Sequence, residues 1–350
     1  MFFQNIQAMR GIASLLVFFA HLVTMDSNLA PDWAVYYGFY LFGPSGVDIF
    51  FVISGFVVTL TAFKQSKNES KSKLNNAFDF IIKRIIRIYP LYWLVLIIAY
   101  LVSPPISLSP DWLPKASDIQ IITLTYPINY KIMAAWTLVY EMFFYCILSV
   151  LIICGSKKFF PILFLWIFVE ILFIAIFGSI DRKYSDYVPL NPQIFQFCIG
   201  SLVAYILVHF NPKYGKQTLY LGCIMFIAMC YVNVNLGSWD SPYNRALTLT
   251  LPSAMIIYGA AVSEKEGTFK FNNILMWFGN ISFSLYLWHQ ILFYILKHIS
   301  ISMDIELYRK EYWFLVYILF GTIAISISYI SYIFIENKFQ KMLVKLFIRD

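Results

Sequence analysis

The sequence predicts an all-α integral membrane protein of about ten transmembrane helices with both termini in the cytoplasm. Three observations predict it. Of 350 residues, 60% are apolar and only 13% are charged, about half the charge a soluble domain spreads over its surface. Apolar runs that approach the ~20 residues needed to cross a bilayer recur along the chain between short polar stretches. Lysine and arginine are unevenly placed: with the N-terminus inside, 18 fall in inner segments and 7 in outer loops, with Lys297 near a helix end. That is the bias of the positive-inside rule.

The first span, near residues 4 to 25, holds RGIASLLVFFAH. Its eleven-residue spacing is close to three full helical turns, so Arg10 and His21 share a face, roughly 16 Å apart along the axis. The second, near 36 to 62, has Gly43, Pro44, Gly46 and Gly55 around Asp48. Part of it is therefore expected to be broken or closely packed, which at membrane depth is tolerated only inside protein or against a cavity. Residues 64 to 83 form a polar inner stretch, and the third span, 84 to 103, opens with KRIIRIYP, which sets Arg84 and Arg87 on one helix face at its inner end. From 103 to 134 the chain is rich in proline (Pro104, Pro105, Pro110, Pro114, Pro127) and reads as an ordered extracellular loop or a short re-entrant cover. WTLVYEMFFY opens the fourth span, 135 to 154, and puts Glu141 beside Trp136 and Tyr140 near the outer face. Spans at 159 to 179, 193 to 210, 218 to 236 and 246 to 262 follow. In the ninth, 274 to 298, ISFSLYLWHQ spaces Ser282, Tyr286 and His289 at i, i+4 and i+7, one polar stripe. The tenth covers 313 to 335, and an even number of crossings returns the C-terminus to the inner side.

The whole of 1–350 is expected to be one transmembrane domain with no appended soluble domain, no internal repeat and no removable signal peptide. The net charge of +7 is accounted for by topology and asks for no nucleic acid. All five cysteines sit in apolar spans without a CxxC pair and read as packing residues. HExxH, GxxxxGK[ST] and GxSxG are missing, so no metal is expected. Asn68-Glu69-Ser70 matches a glycosylation acceptor in a stretch expected to be cytoplasmic, and is read as chance.

Chemistry then rests on ionisable groups within the spans, each of which costs a few kcal/mol on insertion scales and needs a partner or a task. Leaving aside basic groups at span ends, these are His21, Asp48, Glu141, Glu170, His209 and His289; Glu170 and His209 lack supporting neighbours and are assigned nothing. Arg84 and Arg87 can hold a phosphate bidentately, or they are an ordinary inner-boundary cluster, as is Arg10. Asp48 pairs with an arginine or completes a site. The Ser282, Tyr286, His289 stripe and His21 can equally hydrogen-bond neighbouring helices.

Taken together, NIQAMRGIASLLVFFAH, GVDIFFVISGF, RIIRIYPLYW, WTLVYEMFFY and ISFSLYLWH resemble, in order, five blocks of the membrane-bound acyltransferase 3 family, and look most like its exopolysaccharide or O-antigen O-acetyltransferase branch. The resemblance implies an acyl-CoA donor, commonly acetyl-CoA, from the cytoplasm and a hydroxyl of a cell-envelope glycan or lipid-linked oligosaccharide as acceptor, in a bacterial inner or plasma membrane. It also implies that Arg10, Arg84 and Arg87 hold the CoA phosphates and that the pantetheine arm rises along the first helix to His21, a general base for the acceptor hydroxyl. Glu141 then orients that imidazole or the acceptor, and Asp48, Ser282, Tyr286 and His289 line the substrate. Direct attack and an acyl-enzyme relay both fit these residues. Two other readings stay open: a transporter or flippase of a glycan or lipid-linked sugar, and an acyltransferase for a small molecule.

Overall fold

The computed structural model describes residues 3–24, 29–43, 45–102, 116–126, 131–177, 188–235, 242–304 and 310–348. Among these every regular element is helical. In chain order they are α1 (Gln4–Thr24), α2 (Asp32–Val35) running into a π-helical turn (Tyr36–Leu41), α3 (Ser45–Ser66), α4 (Lys73–Val102), α5 (Asp118–Thr123), α6 (Trp136–Cys154), α7 (Ser156–Phe177), α8 (Ile194–His209), α9 (Gly215–Asn235), α10 (Pro242–Glu266), α11 (Asn273–Ser302), α12 (Trp313–Ser331) and, beyond a π-helical stretch (Tyr332–Phe339), α13 (Gln340–Phe347).

In their described residues nine of the ten expected apolar segments lie on helical stretches, and the second is interrupted. By length and composition seven stretches among the described residues can cross a membrane: Gln4–Thr24, Ser45–Ser66, Lys73–Val102, Met133–Cys154, Gly215–Asn235, Asn244–Glu266 and Trp313–Phe347. This is the composition of an integral membrane protein. Two boundaries differ from expectation. The second span is split, the chain turning at Phe42 and Gly43 before α3, as its glycines foretold. The third starts at Lys73, not 84, and runs 30 residues through Pro90; at about 45 Å it is longer than the ~30 Å hydrocarbon core. Its first turns can therefore be both helical and polar, and hydropathy alone misses them.

The chain divides into two compact units: Met1–Arg10, Val47–Ile85 and Tyr140–Trp277 form one, and Gly11–Gly46, Ile86–Val139 and Phe278–Asp350 the other. In the first, α3 and α8 meet backbone to backbone: a Cβ on Gly55 would overlap the Phe197 carbonyl, and one on Gly200 the Val52 carbonyl. Small residues at such a seam let helices approach where lipid supplies no hydrophobic drive. Thr59 and Ser201 hydrogen-bond across it at 2.8 Å. Two carboxylates at the end of α10 cap two other helices. Glu264 accepts the Gln4 and Asn5 amides (2.9 and 2.7 Å) at the start of α1, and Glu266 those of Tyr214 and Gly215 (both 2.9 Å) at the start of α9. Each satisfies orphan donors and complements the positive helix end.

In the second unit α5 lies along α4. Tyr92, Trp93 and Tyr89 donate to the carbonyls of Ile121, Ile122 and Thr123 (2.6, 3.0 and 2.8 Å), and Tyr100 to the Asp118 carboxylate (2.6 Å). The aromatic side of α4 thus takes the orphan carbonyls of a two-turn helix, whose start is closed by a Ser117–Gln120 capping box. From Tyr100 to Tyr89 is eleven residues, so the segment runs back along α4 for about 16 Å. Of the proline-rich stretch this short helix and its flanks are what is described; residues 103–115 and 127–130, with the prolines named above, lie outside the described residues.

Candidate functional site

Within the second unit His21, near the end of α1, meets His289 on α11. His21 Nδ1 is 2.9 Å from the Val17 carbonyl and 3.1 Å from His289 Nε2; His289 Nδ1 is 2.9 Å from the Leu285 carbonyl. A carbonyl only accepts, so both Nδ1 atoms carry their hydrogens. His289 Nε2 is then the lone-pair nitrogen that shares the one His21 Nδ1 hydrogen with the Val17 carbonyl in a three-centre bond, because a hydrogen there would set two donors head to head. The assignment leaves His21 with an unprotonated Nε2, the atom a general base uses. His289 is buried and its ring packs against Phe18 and Phe293, so its orientation is set from several sides.

One turn before His289, the Tyr286 hydroxyl is 3.0 Å from Thr137 Oγ1 and donates to the Ala134 carbonyl at 3.0 Å. Gln290, next after His289, accepts the Ala134 amide through Oε1 at 2.9 Å. Two of the three stripe residues thus join one cluster. The third does not: Ser282 is fully buried and its Oγ finds no hydrogen-bond partner among the described residues. On the other side of α11, Ser284 donates its amide and hydroxyl to the Glu336 carboxylate and Trp288 Nε1 donates to Ser331 Oγ at 3.0 Å. Arg87 belongs to this unit, where its carbonyl accepts from Gln340 at 2.8 Å.

The first unit holds Arg10, Asp48, Arg84 and Glu141. Asp48 is fully buried; Gln196 Nε2 donates to its Oδ1 at 2.7 Å and Arg245 Nη2 to its Oδ2 at 2.9 Å. Of the two sequence readings of Asp48, the arginine pair is therefore present. Glu141 accepts from Ser54 Oγ at 3.2 Å and from Tyr145 OH at 2.7 Å. Tyr145 also offers a ring face to Arg84, whose guanidinium carbon is 5.4 Å from its centroid and 5.3 Å from that of Phe80. This buried arginine sits in an aromatic clasp. Arg10, half-exposed, has Nη1 3.4 Å from Gln7 Oε1.

Sequence reasoning passed over Ser54, Tyr145, Gln196, Arg245 and Gln290. For Ser54, Gln196 and Gln290 the only available signal was a polar residue within an apolar run, since their partners are remote in sequence; Arg245 reads as an outer-loop charge, and Tyr145 alone has a local partner, Glu141. Among the described residues no group of three or more His, Cys, Asp or Glu side chains is placed to hold a metal.

The acyltransferase 3 family model, described as an acyltransferase domain, matches residues 3–333. The exopolysaccharide production protein ExoZ of Rhizobium meliloti (strain 1021) is 24% identical over 71% of this chain and 75% of its own length. A Staphylococcus aureus (strain COL) protein carrying the provisional name of an O-acetyltransferase is 24% identical over 86% of this chain, which spans 53% of that relative's length. An uncharacterised protein of Haemophilus influenzae is 25% identical over 61% of this chain and 97% of its own. No solved structure matches the chain significantly.

Proposed function

This chain belongs to the acyltransferase 3 family, and from that premise we propose that it moves an acyl group, acetyl in the simplest case, from cytoplasmic acyl-CoA to a hydroxyl of a cell-envelope glycan or lipid-linked oligosaccharide. The exopolysaccharide and O-acetyltransferase names of its relatives support the acceptor class. The apolar helices and the inner bias of basic residues in the sequence support the reading of ten crossings of a bacterial inner or plasma membrane with both termini cytoplasmic. Arg10, Arg84 and Arg87 are assigned to the CoA phosphates and Ser282 and Tyr286 to the substrate side; Asp48, whose two oxygens are taken by Gln196 and Arg245, is read as a structural pair.

The observation that carries the chemistry is the histidine pair. His21 Nε2 takes the proton of the acceptor hydroxyl as its oxygen attacks the thioester carbonyl. The carbon–sulfur bond breaks, and the proton passes from the His21 imidazolium to the departing CoA thiolate. His289 Nε2 accepts from His21 Nδ1–H throughout, which fixes the tautomer and stabilises the imidazolium, the part a carboxylate plays in hydrolytic triads. We assign that orienting role to His289, because the Glu141 carboxylate is engaged by Ser54 and Tyr145.

The test is transfer of labelled acetyl from acetyl-CoA into the glycan fraction of membranes, with the intact protein and His21→Ala expressed to the same level. Label should appear with the intact protein and fall by about 10²-fold or more in the variant. Equal label in both would refute the base assignment; none in either would refute the donor or acceptor class.

A further inference from the structure

Both backbone groups of Ala134 are held by α11 side chains that flank His289. Its amide donates to Gln290 Oε1 and its carbonyl accepts from the Tyr286 hydroxyl. Ala134 belongs to a 3-10 turn (Met133–Ala135) just before α6; Ile132, Ala134 and Ala135 are buried, as is His289. The turn runs straight into α6, so the Ala134 amide is one of the donors at a helix start that no helical carbonyl takes, and such a group left unpaired beside a buried polar cluster is costly. Gln290 is the acceptor that holds the amide, while the carbonyl takes the Tyr286 hydroxyl together with Thr137 Oγ1 at 3.1 Å.

Resting on the acyltransferase reading, we propose that Gln290 and Tyr286 latch this turn as the acceptor-side wall of the histidine pair, and that Gln290 is a specificity-determining residue that keeps water from His21. The competing reaction is hydrolysis. A water oxygen attacks the thioester carbonyl, the carbon–sulfur bond breaks, and the proton taken by His21 returns to the thiolate, giving free carboxylic acid and CoA. The same base serves both reactions, so the wall, by excluding water, decides their ratio.

Gln290→Leu removes the acceptor of the Ala134 amide with little change in size, whereas Gln290→Glu keeps an acceptor oxygen at this half-buried position. In membranes supplied with labelled acetyl-CoA and glycan acceptor, Gln290→Leu should raise the ratio of acetate released to acetyl transferred by about tenfold, the scale of one lost buried hydrogen bond. Gln290→Glu should stay near the intact protein. A merely structural role lowers release and transfer together; that result, or an unmoved ratio where the intact protein transfers normally, would overturn the wall while sparing the acyltransferase reading. A second measurement needs no activity. With the five native cysteines replaced and Ala134→Cys installed, Gln290→Leu should speed modification by a maleimide several-fold. Equal rates would overturn the latch whatever the enzyme's substrate.

Discussion

The buried pair Asp48–Arg245 lets a magnitude be worked from geometry. At 2.9 Å and an effective dielectric of 20, the attraction is about 6 kcal/mol, set against the desolvation of a fully buried carboxylate and a guanidinium whose side chain is 11% exposed. Much of that attraction is offset, so the pair adds little net stability, but removing one partner leaves the other uncompensated at a cost of about 3–5 kcal/mol. Arg245→Leu abandons Asp48 with only Gln196, whereas Asp48→Asn combined with Arg245→Leu removes the charge and keeps an acceptor for the Gln196 amide. At about 2.1 cal/mol/K of unfolding entropy per residue, the single variant should lower the unfolding midpoint of detergent-solubilised protein by ~5 °C. The double variant should lower it by about 2 °C, a difference from the single variant of roughly 2 kcal/mol. Equal shifts would refute the reasoning, for they would mean that the carboxylate is not stranded when the arginine leaves.

His289→Ala should cost about 10²-fold in kcat for acetyl transfer with a smaller change in KM, while His289→Gln, whose Oε1 can accept from His21 Nδ1–H, should retain more of the rate. Steady-state kinetics in membranes at matched expression checks this, and two variants of equal rate would count against the orienting role. Gly55→Ala improves helix propensity by ~1 kcal/mol, yet the overlap with the Phe197 carbonyl should make it destabilising by about 1–3 kcal/mol net. A raised midpoint in the same detergent assay would mean that the α3–α8 seam is looser than described.

What the sequence made legible follows from how local each signal is. Arg10 and His21 lie on one uninterrupted helix, and their spacing alone says so. The break before α3 was announced by Gly43 and Gly46, where a Cβ would overlap Ala20 and the Ala13 carbonyl. The inner end of α4 was not legible, because charged residues on a helix that outruns the hydrocarbon look like a loop to a hydropathy count. Cross-helix partners were hardest. Gln196 and Gln290 stand in apolar runs and Arg245 in a polar stretch at the start of α10, and what they bond to is 148, 156 and 197 residues away. Only Tyr145 and Glu141 show the i, i+4 spacing that could have been read as a pair.

α11 carries the argument from fold to chemistry one step further. Counted at about 100° per residue, Ser282, Tyr286 and His289 fall within roughly 60° of one another, while Ser284 and Trp288 lie on nearly the opposite side. In lipid a helix has no hydrophobic reason to prefer one rotation about its axis, since tails surround it as readily on every side. A polar stripe that must meet His21 therefore needs a hold on its far face. Ser284 and Trp288 supply it through Glu336 and Ser331, and the π-helical stretch Tyr332–Phe339 that presents Glu336 is the kind of local widening that persists where a side chain must be re-aimed. Gln290 and Tyr286 grip the Ala134 turn on the near face. Pinned on both sides, α11 has one rotation open to it, the one in which His289 Nε2 accepts from His21; under the proposed function the opposite imidazole nitrogen is then the one that faces the acceptor.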